Sequence, residues 1–277
     1  MKKILSSLLV VSTTAVIAVA GTRAFFQDTE TSTGNVLAAG SIDLQIDNTS
    51  YYNGVTSPNT TWTISDLTIQ KFFDFRDLKP GDYGEDTISA HVNNNDSWLC
   101  ADVTLTSDDD NGLTEPEGQA GDTSPGLLGI GEGELADQVN FLWWADDGDN
   151  VLETNETTLP GGPLGALAVN QTATVALADS STNIWGDTNN VLPGDSTRYI
   201  GKGWCFGAIT ETKVTQDNLT TNGPTSIDGA TQLPRGAGFT CNGSLVDNTA
   251  QSDSLTADVT FRAVQSRNNT DFRCVVL

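Results

Sequence analysis

Between Ala145 and Glu153 the chain reads ADDGDNVLE, a run in which oxygen-bearing side chains alternate with spacers. Calcium takes about six to eight hard oxygens, commonly from alternate residues of a tight Asp/Asn/Gly loop. Asp147, Asp149, the Val151 carbonyl and Glu153 supply that alternation and are the candidate calcium ligands, with Asp146 and Asn150 in reserve. The run is not an EF-hand, because Gly148 follows Asp147 directly. Its competing reading is an Asp-Gly hairpin turn after the apolar run Phe141–Ala145. A second acidic run, Asp108-Asp109-Asp110-Asn111, reads as a solvated loop.

Other chemistries find fewer groups. A zinc hydrolase needs roughly three protein ligands, an open position and a general base. The chain has one histidine, His91, and no HExxH; within TISAHVNNND it reads as a half-exposed strand residue. No serine sits in GxSxG. Carboxylate pairs of the glycosidase kind cannot be singled out among 36 Asp and Glu. Six tryptophans raise a sugar-binding surface, as in a monomeric adhesin, but Trp143 and Trp144 are adjacent and must face opposite sides of a strand. No catalytic residue is assigned.

The elements that would position these groups begin after a leader. Lys2 and Lys3 precede an apolar stretch, Ile4–Ala20, and Thr22-Arg23-Ala24 gives the small-x-small pattern of a signal-peptidase site. Residues 1–24 are therefore read as a signal peptide cleaved after Ala24, and 25–277 as one secreted domain, extracellular or at the cell surface. A membrane is met only through the leader. The formal charge is −23; without Lys2, Lys3 and Arg23, 10 basic residues stand against 36 acidic ones, giving −26. Such a surface repels nucleic acid and attracts divalent cations.

Cys100, Cys205, Cys241 and Cys274 contain no CxxC spacing, so two disulfides are expected in an oxidising compartment. Three pairings are open. Cys205–Cys241 is favoured because it would staple the Gly/Pro/Thr-rich segment between them, leaving Cys100–Cys274.

Period-2 patterns dominate: Ser41–Ile46, Asp86–Val92, Trp98–Leu105, Ala173–Leu177 and Leu255–Val264 alternate apolar and polar residues. Trp62–Ile64, Phe72–Phe75, Phe141–Ala145 and Tyr199–Ile209 read as further strands, and Gly133–Asn140 as a short helix. Ser107–Glu134 and Thr210–Gly238 read as long loop insertions, the first of them acidic. The pattern predicts an all-β fold, an antiparallel β-sandwich of the jelly-roll kind.

The segment FFQDTETSTGNVLAAGSIDLQID (Phe25–Asp47), followed by LKPGD (Leu78–Asp82) and HVNNND (His91–Asp96), resembles the TasA/camelysin family, whose precursors carry SipW-type signal peptides. Phe26, Asp28, Asn35, Ala39, Gly40, Ile42, Asp43 and Leu44 occupy the positions of its shared start. The resemblance covers the first hundred or so residues; the cysteines, tryptophans and acidic loops depart from it. It implies a jelly-roll sandwich exported to the surface or biofilm matrix, forming a homo-polymer with partners among surface or matrix components. In that mode the leading segment, 25–47, adds as a strand to the next subunit, with Phe25, Phe26, Val36, Leu37, Ile42 and Leu44 as assembly residues. The residues alone leave open whether this segment joins a neighbour or its own sheet. The resemblance also implies, as an alternative, a metallo-endopeptidase.

Overall fold

Alternation along the strands builds two facing sheets. The computed structural model describes residues 27–31, 42–123 and 132–275, the first stretch as backbone only. Ala24, Phe25, Phe26, Val36 and Leu37 lie outside the described residues. One sheet has the order β1 (Gln27–Thr31), β14 (Ser254–Gln265), β6 (Ser97–Asp109), β9 (Thr172–Asp179), β10 (Thr182–Asn183). The other runs β3 (Val55–Thr56), β2 (Asp43–Tyr52), β5 (Tyr83–Asn93), β11 (Ser196–Phe206), β7 (Val139–Asp146), β8 (Thr158–Pro163), with β4 (Trp62–Ser65) also on β2. A separate hairpin pairs β12 (Ala208–Glu211) with β13 (Phe239–Asn242). The strand pairings within both sheets are antiparallel. The fold is an all-β sandwich.

The main core lies between the sheets. Leu44, Ile46, Ile88, Ala90, Val92 and Ile200 from one meet Leu99, Ala101, Leu177, Val259, Phe261 and Ala263 from the other, all buried. Alternate residues of these strands form apolar rows that turn inward, broken by the buried Asn48, Ser50, Asp86 and Lys202. Burying such side chains stabilises by about 1.5–3 kcal/mol each. Ile42 and Leu44 belong to this core, because β2 lies beside β5.

Several expectations need correction. Phe72–Phe75 forms no strand; Phe72 instead plugs the core edge-on against Trp62 and Phe261. The strand read as Tyr199–Ile209 breaks at Gly207, where φ is +136° and an added Cβ would lie 2.4 Å from the Asn242 carbonyl oxygen. Ser107–Glu134 is not all loop: β6 runs on to Asp109, and Glu115–Ala120 is a helix. Asp108 and Asp110 are buried, not solvated. The expected helix near Gly133–Asn140 shrinks to Leu135–Gln138. The strand β8 escaped the sequence reading because it contains Pro160 and Pro163, which a sheet tolerates only where an N–H is not needed; β8 is an edge strand.

Cys100 bonds Cys274 and Cys205 bonds Cys241, with Cα separations of 5.6 and 5.4 Å. The favoured pairing holds, and the second bridge fastens the hairpin to β11. Two disulfides point to an oxidising, non-cytoplasmic compartment. Among the described residues no helix is long and apolar enough to cross a membrane.

Candidate metal centre

The outer face of the seven-stranded sheet carries the acidic run. On β11, Gly201 and Gly203 face outward, and each leaves room for an aromatic ring. A Cβ on Gly201 would fall 1.9 Å from the Trp144 indole, and one on Gly203 would fall 2.6 Å from the Phe239 ring. Trp144, Leu142, Leu152, Ala237 and Phe239 thus form a second apolar layer. Leu152 and Ala237 join through a backbone bond of 3.0 Å. This layer anchors both the 147–157 loop and the distant 213–238 segment. Trp144 is fully buried there, and Trp143 packs on the opposite side against the inter-sheet core. Neither ring is presented as the open platform that a sugar-binding surface needs.

Beneath the same outer layer lies Glu85. It is directly paired with Gly203, is fully buried, and neither carboxylate oxygen has a partner. Burial, with Asp86 adding, pushes its carboxyl up to about 8. The folded chain therefore holds this proton more tightly than the unfolded one. Stability is unpenalised below the ordinary carboxylate range and falls as pH rises toward 8. In urea titrations, Glu85→Gln is expected to flatten the pH dependence between about pH 5 and pH 9 by on the order of 4 kcal/mol. Parallel profiles for the two proteins would contradict this.

Asp146, the last residue of β7, is a structural acceptor. Its Oδ1 takes the Trp144 indole N–H at 2.9 Å, and its Oδ2 takes the Thr87 hydroxyl at 2.9 Å and the Gly148 N–H at 3.0 Å. Gly148 (φ +111°) and Asn150 (φ +69°) turn the loop left-handed. Asp149 Oδ1 then accepts the Val151 N–H at 2.9 Å. Glu156 closes the loop, accepting from Asp147 N at 3.0 Å and Glu153 N at 2.8 Å.

Into this ring of acids comes Arg235. Its guanidinium donates to Asp149 at 2.7 Å, to Glu153, and to the Asn222 carbonyl at 2.6 Å, with Asp217 3.2 Å away. The arginine and both inner carboxylates are buried. Two groups of carboxylate oxygens lie within 4.8 Å of one another: Asp147, Glu153 and Glu156, and Asp149, Glu153 and Asp217. Arg235 pairs with all three members of the second group, so that position already holds a cation. In the first group Arg235 meets only one oxygen of Glu153, and Lys213 reaches the Glu156 backbone carbonyl but no side-chain carboxylate of the three. Glu153 Oε2 and Asp147 Oδ1 are buried and lack a hydrogen-bond partner, and Glu153 as a whole is fully buried. An isolated buried carboxylate oxygen is costly, and a cation at Asp147, Glu153 and Glu156 would satisfy it.

The electrostatics agree. Burial and then Asp146, Asp147 and Glu153 push Asp149 up to about 8, despite Arg235. Burial and then Asp146 push Glu156 up to about 9. Burial also raises Asp147 and Glu153. One guanidinium is too little positive charge for so many buried acids, and the group can hold a metal ion. Asp147 and Glu156 also line a cleft of about 690 Å³ beside Thr182–Gly186, which gives an ion a way in.

Of the four ligands expected from sequence, Asp147 and Glu153 come together. Asp149 and one oxygen of Glu153 are taken by Arg235, and Val151, whose carbonyl was the expected ligand, is buried. Glu156 and Arg235 were missed. Glu156 was signalled only by its place three residues after Glu153, and Arg235 by nothing local. His91 stands apart on β5, its ring held by Asp47 (2.6 Å) and Thr197 (2.9 Å).

Protein-family models and curated proteins, compared with this chain, gave no match.

Proposed function

We propose that this chain is a secreted structural protein, a jelly-roll subunit of surface or matrix fibres joined by exchange of its leading strand and stiffened by calcium. The described part of the leading segment pairs within its own sheet, the alternative that the sequence left open, and the reading is supported by the edge position at which it does so. Gln27–Thr31 pairs antiparallel with Thr260–Val264 of the same chain, at the edge of the five-stranded sheet. This strand follows the expected cleavage point by only a few residues. An edge strand that leaves uncovers a row of backbone donors and acceptors on β14, which the same strand of another copy would satisfy equally. Such exchange adds no new contacts and costs little, and when it runs head to tail instead of reciprocally between two copies it propagates as a filament.

Electron microscopy of the chain starting at Phe25 tests it. Filaments are expected, and deletion of residues 25–34 is expected to abolish them. Filaments from the deleted protein would remove strand exchange; single particles from both would remove the fibre reading.

Calcium suits the all-oxygen character of the Asp147, Glu153 and Glu156 group. At a concentration about 100-fold above Kd, binding adds about 2.7 kcal/mol of stability. Millimolar calcium is therefore expected to raise the melting temperature by several degrees, and Glu156→Gln to cancel the rise. An unchanged melt would remove calcium from the account. The peptidase alternative gains no support from this site, since the one histidine is engaged elsewhere.

A further inference from the structure

Lys202 on β11 and Asp86 on β5 are directly paired across the middle of the seven-stranded sheet, and the row continues to Ser50 on β2. Both point into the inter-sheet core, and both side chains are 1% exposed. The Lys202 amine touches the Asp86 carboxyl, donates to the Phe72 carbonyl at 3.3 Å, and lies 5.7 and 5.4 Å from the Phe72 and Phe73 ring centres. Asn48 and Ser50 stand close to Asp86, but neither Asp86 oxygen makes a hydrogen bond of ordinary geometry. Glu85, the neighbouring acid, points to the opposite face and takes no part.

An ion pair enclosed this way loses the hydration of both charges. Condensation requires one proton to pass from nitrogen to carboxyl within this contact, giving a neutral amine and a neutral acid. A desolvated lysine amine is a nucleophile. Two reactants fixed in contact on adjacent strands react as though at very high concentration.

We propose that Lys202 and Asp86 condense into an intramolecular isopeptide bond. The Nζ lone pair attacks Cγ of the protonated Asp86. The Nζ–Cγ bond forms, the Cγ–OH bond breaks, and the hydroxyl leaves with a proton from nitrogen as water. No oxidant, reductant or cofactor enters the balance. The amide N–H keeps the Phe72 carbonyl as acceptor, and the amide oxygen lies beside Ser50 and Asn48. The buried site then shields the bond from hydrolysis and locks the two central strands together. The inference is independent of the fibre reading.

Mass spectrometry of the full purified chain, denatured and with its disulfides reduced, tests this. The N-terminus found in the same digest fixes the sequence mass. The protein is expected to fall short of that mass by one water, and digestion to yield a branched peptide joining the Lys202 and Asp86 segments. Asp86→Ala is expected to regain the full sequence mass. A wild-type chain at full mass, with Lys202 and Asp86 in separate linear peptides, would overturn the proposal. So would a water loss that maps elsewhere, such as a cyclised Asp147-Gly148. The wild-type measurement decides even if the variant fails to fold.

Discussion

Replacing Arg235 with methionine is expected to lower the unfolding free energy by about 3–5 kcal/mol at mildly alkaline pH, because it leaves buried charge without a partner. Asp149 and Glu153 are wholly buried at the guanidinium, and no other basic side chain pairs with them among the described residues. The loss is expected to shrink as pH falls. Asp149 already holds its proton up to about 8, and a protonated acid no longer needs the arginine. Asp149, Glu153 and Asp217 have oxygens within 4.8 Å of one another, an arrangement the variant is expected to keep. Calcium is therefore expected to restore part of the lost stability by taking the vacated position. Urea unfolding with chelator and with calcium reads both effects. A loss under about 1 kcal/mol would mean that these carboxylates are hydrated in solution.

Removing the Cys100–Cys274 bridge with a pair of alanines is expected to cost about 2–5 kcal/mol, with the longer loop giving the larger loss. The bridge closes a sequence separation of 174 residues, against 36 for Cys205–Cys241. The entropic difference alone makes the first worth roughly 1 kcal/mol more. It also holds the C-terminal tail against the five-stranded sheet, where Phe272 accepts from Ser180 N at 3.0 Å, Cys274 N donates to Asp179, and Arg262 reaches the Val275 carbonyl at 2.9 Å. Thermal melts of the two double variants should rank in that order. The reverse order would show that the tail contacts hold without the bridge.

Strands with an apolar row on one face were legible in the sequence because burial of that row is what folds them. Leu99, Ala101 and Leu105, or Val259, Phe261 and Ala263, read the same in both. The strand β8 was hidden by its prolines, which mark a turn unless the strand's edge position is known. Asp108 and Asp110 resembled solvated loop acids, since burial of a polar run leaves no periodic mark. The loop at Asp147 and Glu153 was legible from spacing. Arg235 was not, being 82 positions from Glu153 and brought there by the packing of Leu152, Ala237 and Phe239 over Gly201 and Gly203. A strand written Gly-Lys-Gly was the one local hint that something large had to lie on that face.

Strand exchange is tested most directly by a cysteine at each end of one pairing. Thr31 and Thr260 stand opposite each other where β1 meets β14. In a Thr31→Cys/Thr260→Cys chain starting at Phe25, oxidised after assembly, the account predicts a ladder of covalent multimers on a non-reducing gel. Monomers cross-linked only to themselves, at every protein concentration, would contradict it.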